Sequence, residues 1–573
     1  MQRKVAYSGK KKKLQLKERK ARKASQPYWL DDDAPMRKPA VNTEIKDHFV
    51  ASTSSIPHPE TTSFGMDTLL QEKKLVSAFE KLSPETIRIA RLDSMKPFQR
   101  LPNTCLELSV EQCQPAIDFP KRPAWSYDIT KEQLELQEKR AFDQWKMSLY
   151  ETYGQSGQLS WFEQNLEVWR QLWRVLEMSD ILLLVMDIRN PLIHFPVPLY
   201  DYVTKVLKRK MIGIFNKVDL VSEFTVFAWT KYFEEMYPDL HVTTFSCFAR
   251  DTKLIDDTKS YALKTKVKRP KKRKYSAQGV RDILRCCQSI GGKDGVVTDW
   301  DALVEKYSDT IHENNEDDDN DSDTGSMLGL EDQFCHVMDV KDEQVSPHKD
   351  YLTLGLVGQP NVGKSTIINS IMQRTVVSTS QTPGHTKHFQ TIYLCDNVRL
   401  CDSPGLVFPS LLPRSLQILT GMYPIAQVQE PYSTVQYLCQ RLPLEDILSL
   451  SPPYLDEYDK FKWSAWLVCE AYAEQRGFHV AKAAGPDAYR AANAILRLAC
   501  DGRILLSFKP PGFFNTTKYE KCRVLETDLQ QTEQGSDTDN SNQITDSESE
   551  NCQGTFETTK SIFSVLADLD TDI

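Results

Sequence analysis

The sequence predicts an α/β protein whose largely parallel sheet carries a phosphate-binding loop, and three observations lead there. Short apolar runs, Ile181–Met186 and Met211–Phe215, alternate with helix-like stretches, the pattern of a sheet covered on both faces. A third apolar run, Tyr351–Val357, opens directly into Gly358-Gln359-Pro360-Asn361-Val362-Gly363-Lys364-Ser365. A fourth, Val398–Cys401, ends in Asp402-Ser403-Pro404-Gly405.

The elements follow in order. Asp118–Tyr127 carries prolines at 120 and 123 and should be extended. A charged, helix-compatible stretch then runs to Tyr150. Ser160 and Glu163 have the spacing of a capping box, and Phe162, Leu166, Trp169, Trp173 and Leu176 form one apolar stripe of the helix it would start. Met178–Asp180 ends that helix before the first buried strand. Tyr200–Lys208 is amphipathic, and Leu240–Thr244 is a further apolar stretch. Short helices are expected near Gly279–Ser289 and Trp300–Tyr307. Past residue 410, Trp463–Arg476 is a helix stopped by Gly477, Ala488–Asp501 is an alanine-rich helix before Gly502, and Ile504–Phe508 reads as a short strand.

Composition bounds the class. With 40% hydrophobic residues in 573, the chain can bury a sizeable core. The net charge of −8 conceals segregation: Lys4–Lys23 and Lys264–Lys274 are basic, while Glu313–Asp323 and Asp537–Glu550 are acidic. Blocks of like charge repel and should stay disordered. The expected organisation is a basic arm over 1–60, an N-terminal extension over 61–158, the sheet domain over 159–410 with a largely disordered insertion at 250–348, a mostly helical domain over 411–518, and an acidic tail over 519–573. Thirteen cysteines without a C-x-x-C pair argue against both a disulfide framework and a zinc ribbon. No apolar run is long enough to span a membrane, and a reducing, intracellular setting is expected. The basic runs suggest solvated tails or contact with nucleic acid, with access to the nucleus beside the cytoplasm and the nucleolus as a further site.

Residues 358–365 fit G-x-x-x-x-G-K-[ST]. Its glycines let backbone N–H groups approach phosphate oxygens, and the following helix adds its positive end. Lys364 would reach the β- and γ-phosphates, Ser365 would ligate magnesium, and Thr366 continues the turn. Asp402 can hold the magnesium shell, and the Gly405 amide can sense the γ-phosphate. Asn216-Lys217-Val218-Asp219 follows an apolar run. The Asp219 carboxylate can accept two hydrogen bonds from guanine N1–H and the 2-amino group, a pair adenine lacks, which disfavours an ATPase. Ser246-Cys247 offers a backbone N–H for guanine O6, or is a plain strand end. The base-reading motif precedes the phosphate loop, the reverse of the usual order, so the motif order is permuted.

These motifs resemble the circularly permuted GTPases of the YlqF/YawG family. The likeness runs over about Pro120–Gly512 and is strengthened by Asp118–Tyr127, Trp169–Asp180, Thr382–Lys387 and Tyr423–Gln427. It implies a circularly permuted Ras-like P-loop sheet with a C-terminal helical module attached at the switch. It implies that Thr386 is the switch threonine meeting magnesium and γ-phosphate, that GTP, GDP and Mg2+ are the ligands, and that ribosomal particles or RNA are the partners. Leu406 stands where many GTPases place a water-orienting glutamine, so hydrolysis should be slow. Asn361 matches the asparagine that helps hold K+ in related GTPases, or only shapes the loop. Cys247 departs from the commoner alanine. His385 and His388 read as surface switch histidines, and Arg189 is either a structural partner or functional. The leading expectation is a GTP-hydrolysing assembly switch. A GTP-binding scaffold without significant turnover and a nucleic-acid binder with a structural nucleotide are the alternatives.

Overall fold

The structure, a computed structural model, describes residues 82–108, 117–154, 159–248, 263, 277–291, 299–305, 351–377, 389–395, 397–452, 461–480 and 485–524. The charged runs, the acidic tail beyond residue 524 and the segment holding Thr386, His385 and His388 lie outside the described residues.

A six-stranded sheet organises the fold. Its strands are β1 (Ile181–Asp187), β2 (Lys210–Asn216), β3 (Leu240–Phe245), β4 (Leu352–Val357), β5 (Gln390–Cys395) and β6 (Val398–Asp402), in spatial order 3-2-1-4-6-5. All neighbours are parallel except β5 against β6. Alternation explains the continuous apolar runs. Ile181, Leu183 and Val185 enter one core, while Leu182, Leu184 and Met186 enter the other. A strand buried on both faces needs no polar alternation.

In chain order the principal helices are α1 (Pro84–Ser94), α2 (Lys131–Tyr153), α3 (Leu166–Met178), α4 (Glu223–Met236), α5 (Val280–Ile290), α6 (Trp300–Glu305), α7 (Lys364–Ile371), α8 (Arg414–Leu419), α9 (Tyr432–Arg441), α10 (Ala465–Arg476) and α11 (Ala488–Cys500). Helices α5, α6 and α7 bury apolar side chains against one face of the sheet. On the other face, α3, α4 and the C-terminal helices α8–α11 form one continuous hydrophobic cluster. The C-terminal helices therefore share a core with the sheet. Among the described residues no helix is long and apolar enough to cross a membrane.

Two local expectations are corrected. Ser160 does not cap α3. Its N–H and hydroxyl donate to the Ser410 carbonyl at 3.0 and 2.6 Å, and the Glu163 N–H donates to Val407 at 3.1 Å. This pairing holds residues 160–163 extended, and Asn165 takes the cap by accepting from Glu167 N–H at 2.9 Å. Phe162 is still buried, but outside the helix. Residues 504–508 are not a strand either. Ile504, Leu506 and Phe508 are buried, which produced the apolar signal, yet their backbone finds no ladder. Instead, Phe508 N–H donates to the Arg189 carbonyl at 2.8 Å.

Trp169 and Trp173 are core residues, as their helical spacing suggests. Their indole N–H groups donate to the Glu163 and Pro120 carbonyls at 2.9 and 2.8 Å. Buried Glu138 on α2 takes Arg122 and Arg170, each at 2.8 Å, fastening the extended proline segment and α2 onto α3.

Candidate nucleotide-binding site

The sheet order places a crevice where β1 and β4 separate, because the chain proceeds outward in opposite directions from these two central strands. Ligands of open α/β sheets bind at such a switch point, beyond the carboxyl ends of the strands. The motifs meet there. Gly358 follows β4, Asn216 ends β2, Asp402 ends β6 and Ser246 follows β3.

Direct contacts join the motifs. Asn216 Nδ2 donates to the Val362 carbonyl at 2.6 Å, and its Oδ1 accepts Lys217 N–H at 2.7 Å. Lys217 Nζ donates to the Asn361 carbonyl at 2.9 Å and to Asp187 Oδ2 at 2.8 Å. Gly363 shows why glycine is needed: its φ is +102°, and a Cβ would lie 2.2 Å from Asn216 Nδ2. Asn361 has φ +60°, a turn conformation asparagine tolerates. Its side-chain amide donates to the Gly421 carbonyl just past α8 at 3.0 Å, so Asn361 ties the loop to the C-terminal helices.

Lys364 is buried at the start of α7. Its ammonium donates to the Gly358 and Gln359 carbonyls at 2.9 and 2.8 Å, leaving one of three donors for a phosphate oxygen. Burial pulls its pKa down to about 8, against the opposing pull of Asp402. Gln359 Nε2 donates to the Ile193 carbonyl at 3.0 Å. Val362 is buried, while Pro360 and Thr366 complete the turn, Thr366 N–H donating to Gly363 at 3.1 Å. The loop after β6 lies against this turn: a Cβ on Gly405 would sit 2.7 Å from Pro360 Cα and 3.2 Å from Lys364 Nζ. Ser403 Oγ donates to the Leu356 carbonyl at 2.7 Å, and Pro404 leads on to Gly405.

Asp402 is fully buried, and burial raises its pKa to about 6 although Lys364 and Ser365 oppose the rise. One oxygen lies 3.4 Å from Ser365 Oγ. The other has no hydrogen-bond partner among the described residues. A buried, unsatisfied carboxylate oxygen beside a hydroxyl fits a magnesium shell completed by phosphate oxygens and water, since Mg2+ seldom uses an all-protein cage.

The turns after β2 and β3 also meet. The Ser246 hydroxyl lies 2.7 Å from both Asp219 Oδ1 and the Phe248 carbonyl. Burial raises the Asp219 pKa, countered by that hydroxyl. The Cys247 thiol is 3.7 Å from Ser370 Oγ and is pushed up to about 11 by burial, which leaves it protonated. Leu406 is 2% exposed and packed in the core. Asp187, Gly421 and the end of α11 carry no sequence signature of a site, and only the fold brings them here.

A family model and several known proteins match this chain. A model of the 50S ribosome-binding GTPase family matches residues 353–434. The chain is 44% identical over 446 residues to guanine nucleotide-binding protein-like 1 of Macaca fascicularis, covering 76% of this chain and 72% of that protein. It is 32% identical over 431 residues to large subunit GTPase 1 homolog of Mus musculus, covering 69% and 66%. The solved GNP-bound YlqF from T. maritima overlays 60% of this chain and 98% of that one, at 17% identity and a TM-score of 0.31.

Proposed function

The chain belongs to the family of guanine nucleotide-binding protein-like 1, GTPases with circularly permuted motifs, and on that premise we propose that it is a GTP-dependent switch with slow intrinsic hydrolysis. The observation that carries this reading is the contact of the base-reading turn with the phosphate loop, Asn216 to Val362 and Lys217 to Asn361. Two motifs far apart and in reversed order form one site.

In this reading Asp219 accepts the guanine N1–H and 2-amino hydrogens, with Ser246 and Cys247 at the O6 edge. The backbone of Gly358–Gly363 and the Lys364 ammonium hold the phosphates. Ser365 and Asp402, with Thr386, would hold Mg2+, which when bound supplies charge neutralisation on the phosphate oxygens. The Gly405 amide lies in a loop pressed against Pro360 and Lys364, so the presence or loss of the γ-phosphate bears directly on that loop. The loop runs on into α8, offering a route from phosphate state to the helical module.

Slow turnover follows from where residue 406 sits. The side chain is apolar and buried in the core, and it neither orients water nor stabilises charge. Potassium near Asn361 is the candidate substitute. The competing role for Asn361 is the contact it makes with Gly421. Ribosomal particles or RNA are the proposed partners, supported by the description of the matching family and the name of the mouse relative. Residence in both cytoplasm and nucleus, the nucleolus included, is proposed from the basic runs.

The test is single-turnover GTP hydrolysis by the purified chain in K+ and in Na+, with Lys364→Ala as control. Slow hydrolysis that is faster in K+ and absent in the control supports the reading. GTP binding without hydrolysis in either salt, unchanged by added ribosomal particles, favours a regulatory scaffold without turnover.

A further inference from the structure

Asp187 and Arg189 leave β1 beside the site, and both are buried. Asp187 accepts Arg189 Nη2 at 2.7 Å on one oxygen and Arg189 Nε at 3.0 Å on the other, while Lys217 Nζ shares the first oxygen at 2.8 Å. Burial opposes ionisation of this carboxyl, but the two cations hold its pKa well below the usual range.

Arg189 has a second set of partners. Nη1 donates to the Ala499 carbonyl at 3.1 Å and Nη2 to the Cys500 carbonyl at 3.3 Å. These residues are the last two of α11. The Ala499 carbonyl also accepts the Gly502 N–H at 3.1 Å, and the last carbonyls of a helix carry the negative end of its dipole, so a guanidinium there adds a favourable charge to a capped end. The Cys500 thiol in turn donates to the Ile418 carbonyl of α8 at 3.2 Å. Gly421, just beyond α8, accepts the Asn361 amide, and the Asn361 carbonyl accepts Lys217. The contacts close a ring: Asn361, Lys217, Asp187, Arg189, α11, α8, Gly421 and back to Asn361.

We propose that Asp187 and Arg189 are positioning residues that set Lys217 against the nucleotide and tie that setting to the seating of α11 in the C-terminal helical module. The proposal rests on the assignment of Asn216–Asp219 and Gly358–Ser365 as a guanine-nucleotide site. It adds a coupling route separate from the loop after Asp402. Nucleotide binding fixes Lys217 and the phosphate loop, so it firms the ring, and the end of α11 is held more tightly. Arginine is required because its planar fork reaches a carboxylate and two carbonyls together, which a lysine ammonium cannot do from one point.

The experiment measures the affinity of fluorescent GDP for the wild-type chain, Arg189→Lys, Lys217→Met and the double variant, with amide hydrogen exchange at 488–504 with and without saturating GDP. The expected result is a loss of about tenfold in affinity for Arg189→Lys, and a double variant that binds no more weakly than Lys217→Met alone. GDP should slow exchange at the end of α11 in the wild type and not in saturated Arg189→Lys. If Arg189→Lys does not fold, the neutral pair D187N/R189Q replaces it, since it removes both fully buried charges together and leaves the partly exposed Lys217 its Asn361 carbonyl. Losses that multiply in the double variant, or α11 protection that ignores Arg189, overturn the coupling while leaving the nucleotide site intact. A wild-type chain that binds no GDP overturns the functional reading itself, and the coupling with it.

Discussion

Asn216 donates its side-chain amide to the Val362 carbonyl across 2.6 Å, bridging the end of β2 and the phosphate loop after β4. The same side chain accepts the Lys217 N–H. One asparagine thus ties the turn proposed to read the base to the loop proposed to hold the phosphates. Asn216→Ala leaves the buried Val362 carbonyl without this donor, at a cost of about 1–3 kcal/mol. Urea denaturation should show that loss, and GDP affinity should fall more than tenfold. Unchanged GDP affinity would mean that the two halves do not act together.

Lys364 gives a pH signature. Its pKa in the folded chain is about 8, below the ordinary lysine value, so the group loses its proton as pH rises through about 8. Below that pH the charge is buried at a cost, and the cost fades as pH climbs toward the unfolded value. A phosphate beside the ammonium favours the charged form. GDP binding should therefore take up a proton above about pH 8, and affinity should decline with rising pH there. Calorimetry in buffers of different ionisation enthalpy measures the uptake, and Lys364→Met should abolish it.

Asp402 works in the opposite sense at the acid end. Its folded pKa of about 6 lies above the ordinary carboxyl value, so its contribution to the nucleotide-free fold is present at low pH and is lost as pH rises through about 6. Magnesium needs the carboxylate. The strengthening of GTP binding by Mg2+ should hold at neutral pH and weaken by about tenfold per unit below about pH 6. Mg2+ titrations of GTP affinity across that range check this. Asp402→Asn should show no Mg2+ strengthening at any pH.

Leu406 tests whether slow hydrolysis is a matter of one missing glutamine. The side chain is buried in the core. Leu406→Gln should destabilise the chain by about 1–3 kcal/mol through burial of an unpaired amide, without accelerating single-turnover hydrolysis. A faster rate in that variant would show that the loop after Asp402 opens enough to bring residue 406 to the nucleotide.

Much of this was legible in the sequence where a single segment carries the signal. Strands β1, β2, β4 and β6 are buried on both faces, so their apolar runs stand out, and Asn216–Asp219, Gly358–Ser365 and Asp402–Gly405 each begin at the end of such a run. The base reader and the phosphate loop could be named individually because each needs specific residue types at fixed spacing. What could not be read depends on pairing across the chain. Ser160 has the right neighbour for a cap but a stronger partner in Ser410. Ile504–Phe508 has strand composition but no strand beside it. Arg189 is ambiguous in the sequence because its partners include the Ala499 and Cys500 carbonyls, and backbone acceptors leave no mark on the sequence.

The central claim is that this permuted site reads guanine through Asp219. The direct measurement is competition of GTP, ATP and xanthosine triphosphate against fluorescent GDP, on the wild-type chain and on Asp219→Asn. Strong GTP preference in the wild type, with a shift toward xanthosine triphosphate in the variant, is the predicted result. Equal competition by ATP in the wild type, or unchanged GTP selectivity in Asp219→Asn, would contradict it.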